Sequence, residues 1–255
     1  MTVGELYRAL DEKIPSSLSC DWDNDGLLCC GDTDSEVNRV LVALDITEEI
    51  VLCAVNEGYD LIVSHHPLIF RPVGAVTPMD SVSKKVITLL SNGIAAMSFH
   101  TRLDAVKGGV NDVLASALGL VDVVPFGDGR EEIGRIGRTV TPMSLEDFAL
   151  LVKRVTRADY VQISSGGKKV NRVALLGGAG GDDLEYARLA GADTYLTGEL
   201  KHHQLTEAPE KGMNLIMGGH FFTENPVCER LREILLEIDP KLTVTVKSSN
   251  PVRFI

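Results

Sequence analysis

The stretch VNRVLVALDITEEIVLCAVNEGYDLIVSHH, residues 37–66, joins two apolar runs through a turn and a helical segment. Residues 40–45 predict a strand, because Val and Leu run together there. Thr47 can cap a helix, which we expect to end near Gly58. Residues 61–64 predict the next strand. A strand, a helix and a second strand in this order form the unit of a parallel sheet, so the predicted class is α/β.

The same pattern recurs in VNRVALLGGAGGDDLEYARLAGADTYLTGE, residues 170–199, which aligns with residues 37–66 without a gap. A repeat of this length indicates a duplicated strand–helix–strand unit. We therefore predict two similar α/β domains, residues 1–125 and 126–255, divided where the composition becomes rich in glycine and charge. The C-terminal segment is allowed to pack back on the first domain. Strand ends of both domains are expected to line a shared cleft.

Shorter sequence patterns predict further helices and strands around the repeat. Residues 83–90 predict a helix, and residues 94–99 predict a strand. A helix opens after Gly109, and Ser144 caps a helix that runs to Thr156.

The bulk composition excludes several classes of partner. The formal net charge of −11 would repel nucleic acid, and no stretch rich in Lys and Arg offsets it. There is no run of about 18 apolar residues to span a bilayer and no secretory signal at the start. The five cysteines form no CxxC pair, so we read them as reduced thiols. We expect a cytoplasmic protein without nucleic-acid or membrane partners.

Two adjacent histidines follow a predicted strand. His65 and His66 come directly after residues 61–64, and Pro67 prevents a central strand from continuing. The carboxyl ends of strands are where open α/β sheets place their ligands. Adjacent side chains alternate faces, so the pair suits two ions better than one. A turn with solvated imidazoles is the alternative for this pair on its own.

Two further segments pair a histidine with a carboxylate four residues later. His100 and Asp104 follow the predicted strand at 94–99, where His100 is either a metal ligand or a donor that supports the ligands. His220 and Glu224 also follow an apolar run, and a spacing of four places both on one face of a helix. Four of the six histidines lie in these three clusters. Nitrogen and carboxylate donors suit Zn, Mn, Fe, Co or Ni without selecting among them.

Longer segments spread over nearly the whole chain carry a resemblance to a known family. In chain order they are DWDNDGLL (21–28), LIVSHHPLIF (61–70), SFHTRLDAVKGGVND (98–112), TGELKHH (197–203) and GGHFFTE (218–224). They resemble the signature segments of the NGG-interacting-factor-three-like proteins, also called GTP cyclohydrolase I type 2 homologues.

The resemblance implies a duplicated α/β fold with a dinuclear metal centre between the domains. It also implies a ring-shaped homohexamer, built as a trimer of dimers. Two divalent metal ions per chain are implied, with Glu224 as a bridging ligand. The residues that match the ligands of the family are His65, His66, Asp104, His220 and Glu224.

Several other polar residues carry weaker hypotheses. Glu199, His202 and His203 occupy the strand end that corresponds to residues 64–66 in the repeat. They could transfer protons or bind substrate; the alternative is an exposed helix start. Asp45 is interpreted as a helix cap and not as a ligand.

Some residues are given purely structural interpretations. Trp22 is read as an anchor, with Asn24 and Asp25 as capping residues beside it. Arg102 is expected at the surface. Residues 177–178 are predicted to form a packed glycine turn, because no complete phosphate-binding pattern surrounds them.

Two hypotheses about function follow from these residues. The first is a metal-dependent hydrolase of a small nucleotide or related phosphorylated compound, because paired ions can activate water and hold an oxygen-rich substrate. Glu199 or His202 would then move protons, and the family resemblance implies GTP cyclohydrolase-like ring opening. The second is a non-enzymatic metal-binding or regulatory protein that acts through protein partners. A protein without metal, in which the same side chains make ordinary polar contacts, is the third reading.

Overall fold

The computed structural model describes residues 1–252, so positions 253–255 of the predicted second domain lie outside the described residues. Helices and strands alternate along this part of the chain. The helices are α1 (Val3–Lys13), α2 (Glu48–Glu57), α3 (Ser81–Ser91), α4 (Thr101–Ala105), α5 (Val110–Ala117), α6 (Leu145–Thr156), α7 (Leu184–Leu189), α8 (His202–Glu210), α9 (His220–Glu224) and α10 (Val227–Ile238). The strands are β1 (Gly26–Cys29), β2 (Arg39–Ala43), β3 (Leu61–Ser64), β4 (Ala95–Ser98), β5 (Val121–Phe126), β6 (Gly134–Met143), β7 (Gln162–Ser164), β8 (Val170–Leu176), β9 (Thr194–Thr197), β10 (Asn214–Met217) and β11 (Thr243–Val246). The predicted α/β class is confirmed.

The first compact unit comprises Met1–Val106 and Cys228–Pro251. Its sheet has the strand order β1-β4-β3-β2-β11, in which only β1 runs antiparallel to its neighbour. Strand β11, from the C-terminal segment, pairs with β2. Side chains such as Leu41 and Ile62 are fully buried, and they pack in one core cluster with Ile50 of α2.

The second compact unit comprises Lys107–Val227 and, among the described residues, Val252. Its sheet has the order β5-β6-β8-β9-β10-β7, with β8, β9 and β10 parallel. Phe148 of α6 packs with Val173 and Leu196 in a core cluster on this sheet. Both units therefore have parallel central strands with antiparallel strands at an edge.

Local capping signals determine the ends of the central helices. The Thr47 side chain accepts a hydrogen bond from the Ile50 N–H, and α2 ends at Gly58 in the left-handed conformation. The Ser144 side chain caps α6, which ends at Thr156 as predicted. Strand β3 also has the predicted bounds.

The two copies of the sequence repeat make the same backbone clamp. In the first unit, Asp60 Oδ2 accepts hydrogen bonds from the second and third N–H groups of VNRV, both at 2.8 Å. In the second unit, Asp193 accepts the equivalent bonds at 3.1 and 2.7 Å. Each aspartate lies two positions after a glycine with positive φ, Gly58 or Gly191. The similar duplicated α/β architecture is thereby confirmed, while the boundary at 125/126 stays a prediction.

Within residues 1–252, every helix falls short of the length and apolar character needed to span a membrane.

Candidate metal centre

The histidines of the first unit emerge together because two neighbouring strands end in register. Strands β3 and β4 are parallel, with Ser64 opposite Ser98. The hydroxyl oxygens of these two serines lie 2.8 Å apart. His65 and His66 follow β3, and His100 follows β4 by two residues. Parallel strands thus deliver all three imidazoles to the same carboxyl edge of the sheet.

The three imidazoles form a compact cluster, here called the histidine cluster. One ring nitrogen from each of His65, His66 and His100 lies within 4.8 Å of the others. The ring of His65 is centred 4.8 Å from that of His66 and 5.3 Å from that of His100. His65 is fully buried, whereas the other two are half-buried. Imidazole nitrogens this close can hold a metal ion, and the expectation that His65 and His66 serve two separate ions stays a prediction.

Hydrogen bonds at Nδ1 orient the first two rings. His65 Nδ1 lies 3.0 Å from the carbonyl oxygen of Phe99, and His66 Nδ1 lies 2.7 Å from Asp45 Oδ1. A carbonyl or carboxylate oxygen accepts, so each Nδ1 carries a proton, and Nε2 is the nitrogen left to face a metal. This arrangement is typical of metal-binding histidines, whose second nitrogen donates to a carbonyl or carboxylate. The interpretation of Asp45 as a helix cap is wrong, because Thr47 is the N-cap of α2 and the Asp45 carboxylate contacts His66 instead.

The third ring is held by a carboxylate from the DWDND segment. Asp23 Oδ1 lies 2.8 Å from His100 Nδ1, and Asp23 Oδ2 accepts bonds from the Thr101 N–H and hydroxyl at 3.0 and 2.6 Å. Burial acts to raise the pKa of Asp23. The hydrogen bonds from His100 and Thr101 act in the opposite direction, and together they hold this pKa well below its usual value. The Asp23 carboxylate is therefore charged and fixes the proton on His100 Nδ1.

Arg102 is a second link to the same segment, and its predicted surface position is wrong. Its side chain is fully buried. Its Nε donates to Asp25 Oδ2 at 3.0 Å and one terminal nitrogen donates to Asp11 Oδ1 at 2.6 Å. The guanidinium also lies over the Phe99 ring, 4.5 Å from its centre. Two carboxylates and an aromatic face offset the cost of burying this charge.

Asp25 contacts the histidine cluster directly as well. Its Oδ2 accepts a hydrogen bond from the His100 N–H at 3.0 Å, and its Oδ1 accepts one from the Ser19 hydroxyl at 3.1 Å. The polar residues of the DWDND segment thus have a wider role than the capping predicted for them. They fix the backbone at the start of α4.

Asp104 lies on α4 beside the histidine cluster. Its side chain is buried, and its Oδ1 is 3.9 Å from His65 Nε2. Its N–H donates to the His100 carbonyl at 3.2 Å, so the two residues are one helical turn apart. The first unit therefore brings together four of the residues named from the sequence.

The second unit holds the other histidine–carboxylate pair. On α9, His220 Nε2 lies 3.0 Å from Glu224 Oε2, so the spacing of four does place both on one helix face. His220 Nδ1 lies 3.2 Å from Glu199 Oε1. Glu224 is buried and Glu199 is exposed. The imidazole is again oriented through Nδ1 by a carboxylate.

A glycine turn after β8 makes room for this pair. Gly178 has φ of +64°, and a Cβ built on it would overlap Glu224 Oε1 and lie 3.1 Å from His220 Nε2. A Cβ on Gly177 would lie 3.1 Å from Glu224 Cγ. The Gly178 N–H donates to the Thr223 hydroxyl at 3.0 Å. The predicted packed turn is confirmed, and its partner is the candidate ligand Glu224, which the sequence did not reveal.

The remaining candidates lie at the start of α8. His202 and His203 are both exposed there. Their roles in proton transfer or substrate binding stay predictions, as does that of Glu199.

The donor atoms present fit a divalent metal. The first unit offers imidazole nitrogens with a buried carboxylate beside them, and the second offers an imidazole and a carboxylate. This mixture suits the borderline transition metals predicted from the sequence. That the two sets of donors share ions stays a prediction.

Asp45→Asn is expected to weaken divalent metal binding by about 10- to 100-fold without unfolding the chain, because a neutral amide raises the basicity of His66 less than a carboxylate does. Titration of metal-free protein with Zn²⁺ or Mn²⁺ by calorimetry measures this. Asp34→Asn, at an exposed position, is the matched control and should bind as the unaltered chain does. Equal affinities for all three proteins would show that Asp45 does not tune a metal ligand.

The fold and the site together define a class of protein. The chain is a duplicated α/β protein with histidine–carboxylate clusters at its strand ends that could bind metal. The family model described as Duf34/NIF3 (NGG1p interacting factor 3) matches residues 1–251. The chain belongs to this family, which confirms the resemblance stated above.

Individual relatives agree with this assignment. A protein of Clostridium perfringens named "GTP cyclohydrolase 1 type 2 homolog" is 31% identical over 264 residues, which covers 100% of both chains. A protein of Schizosaccharomyces pombe named "Protein NIF3 homolog" is 30% identical and covers 97% of this chain and 96% of its own. A solved hypothetical protein of Staphylococcus aureus has a TM-score of 0.87 at 29% identity, covering 100% of this chain and 99% of that chain.

Proposed function

We propose that the chain is a metal-dependent hydrolase of a small nucleotide or related phosphorylated compound. The observation that carries the proposal is the histidine cluster, in which the Nδ1 of every ring is bonded to an oxygen acceptor. A solvated surface histidine can form its hydrogen bonds with water instead of with carbonyl or carboxylate oxygens. Three rings oriented in this way, with a buried carboxylate beside them, indicate cation binding.

The proposed ligands come from both units. We propose two divalent ions per chain, bound by His65, His66, Asp104, His220 and Glu224. When bound, such ions supply Lewis acidity and attract the oxygens of a phosphorylated substrate.

The residues of the chain supply orientation and proton transfer. Asp45 and Asp23 keep the protons of His66 and His100 on Nδ1. Glu199 does the same for His220, and its exposed carboxylate can exchange a proton with solvent. We therefore propose Glu199 as the proton-transfer residue, with His202 as the second candidate.

The names of relatives narrow the reactions to be examined. Since several are named GTP cyclohydrolase 1 type 2 homologs, GTP ring opening is among the reactions we propose to assay. The proposed homohexamer, a trimer of dimers, and the proposed cytoplasmic location are separate expectations. Native mass measurement tests the first, and fractionation of cells tests the second.

The decisive measurement is metal content followed by turnover. Protein purified without an affinity tag or added metal should contain divalent metal by mass spectrometry. His66→Ala and Glu224→Gln should lose metal and turnover together, because each removes a ligand. His203→Ala, at an exposed histidine outside the proposed ligands, should keep its metal.

The outcomes separate the hydrolase from its alternative. Hydrolysis of nucleotides or phosphoesters by the metal-loaded protein, and none by the metal-free protein, supports the proposal. Bound metal without turnover across both compound classes contradicts it and favours a metal-binding protein that acts through partners. Absence of metal uptake on titration contradicts both.

A further inference from the structure

Two aromatic side chains stand exposed beside the histidine cluster. Trp22 is 58% exposed and Phe70 is 43% exposed. Their ring centres lie 6.2 Å apart, and each lies about as far from the ring of His100, at 6.1 and 6.0 Å. All three contacts are edge-to-face. We call Trp22 and Phe70 the aromatic pair.

Hydrogen bonds on both sides of the aromatic pair fix its position. The Asn24 side-chain amide donates to the Ile69 carbonyl, which ties the segment that carries Trp22 to the segment that carries Phe70. On the other side of Trp22, the bonds from His100 and Thr101 to Asp23 tie the same segment to α4. The rings are therefore set in place relative to His100 by the backbone that bears them.

The exposure of these rings argues against a purely structural role. The sequence predicts that Trp22 is an anchor, but an anchoring Trp is stabilising only to the extent that its area is removed from water. Here more than half of the surface of the Trp22 residue is accessible. Aromatic side chains gathered beside a few placed polar groups are the kind of lining that small-molecule sites use.

We propose that the aromatic pair is a stacking platform for the planar heteroaromatic ring of the ligand whose charged part reaches the histidine cluster. Because the two rings stand at 77° to each other, one stacks on the ligand ring and the other packs against its edge. Aromatic faces bind such rings without selecting among bases, because every nucleobase has a π-face. The platform therefore favours base-containing compounds over sugar phosphates. This inference rests on the proposed function in one respect, namely that the ligand is a substrate. Stacking itself requires no turnover.

The chain contains its own reporter of ring stacking. Trp22 is the only tryptophan, so its fluorescence responds to a ring placed on the platform. We would titrate guanosine 5′-monophosphate and, as the base-free probe, ribose 5-phosphate into the full chain with its metal bound. The nucleotide should quench the emission in a saturable manner, and ribose 5-phosphate should not.

Variants separate the platform from general effects on folding. Phe70→Leu keeps the reporter and should weaken nucleotide binding roughly 10-fold, within the range that loss of one stacking contact produces. Leu52→Ser, at another exposed apolar residue of the first unit, is the matched control and should bind normally. By calorimetry, Trp22→Leu should weaken nucleotide binding to a similar extent, and Trp22→Phe should restore most of it.

Several results would overturn the platform. One is equal binding of both probes; another is unchanged nucleotide affinity in Phe70→Leu and Trp22→Leu. A third is protection of Trp22 from acrylamide quenching in the ligand-free protein, which would mean that a second copy of the chain covers the ring. Nucleotide stacking without hydrolysis would keep the platform and refute the hydrolase. Metal-dependent hydrolysis with identical KM values for all variants would keep the hydrolase and refute the platform.

Discussion

Arg102→Met is expected to lower the free energy of unfolding by about 3–5 kcal/mol, the cost of breaking a buried ion pair by removing one partner. Methionine fills much of the same space but donates no hydrogen bond. Asp25, whose side chain is only 5% exposed, would then keep its charge without the guanidinium. The Asp11 carboxylate and the Ile14 carbonyl would lose their bonds as well. Denaturant unfolding followed by Trp22 fluorescence and circular dichroism measures the loss.

The same substitution elsewhere provides the control. Arg138 also pairs with an aspartate, Asp122, but both side chains are more than half exposed. Arg138→Met should therefore cost no more than about 1 kcal/mol. Arg102→Lys should fall in between, because an ammonium cannot reproduce the planar fork of bonds. If the two methionine variants were equally stable, the buried ion-pair network would not be holding α4 in place.

The sequence predicts those parts of the fold that depend on near neighbours. Capping of α2 by Thr47 and of α6 by Ser144 involves residues within three positions, so the side chains that decide it are visible in the sequence. Strand β3 is recognisable from its own four apolar and small residues. The repeat adds a longer signal, and its matched aspartates make matched hydrogen bonds.

Contacts between distant positions account for what the sequence did not reveal. Asp23 and His100 are 77 positions apart, and Arg102 and Asp11 are 91 apart. Nothing in the local pattern shows that Arg102 is buried, because arginine in a short helix is usually exposed. The candidate ligands were visible because histidine is scarce and lies at strand ends. Their supports were not, because aspartates are common and pair only through the fold.

Gly178→Ala is expected to displace Glu224 and so to remove the contribution of Glu224 to metal affinity. Two separate costs arise at this position. The φ of +64° is unfavourable for any residue with a Cβ, by about 1–2 kcal/mol. The new methyl group would also overlap Glu224 Oε1 and lie 2.9 Å from its Cδ. Glu224 is buried, so its carboxylate cannot move aside without leaving the position 3.0 Å from His220 Nε2.

Gly167→Ala isolates the first of these costs. Gly167 has φ of +76° in the same unit, and a Cβ there would meet nothing within 4 Å. Backbone strain should therefore lower the stability of both variants by a similar amount, but only Gly178→Ala should lose metal. Mass spectrometry and calorimetric titration of metal-free protein measure the metal content and affinity. A Gly178→Ala protein with full metal content and ordinary affinity would mean that Glu224 is not a ligand. The pair of variants thus tests the candidate ligands of α9 without changing any donor atom, because the new methyl group would overlap Glu224 and lie 3.1 Å from His220 Nε2, whereas the backbone strain is common to both glycines.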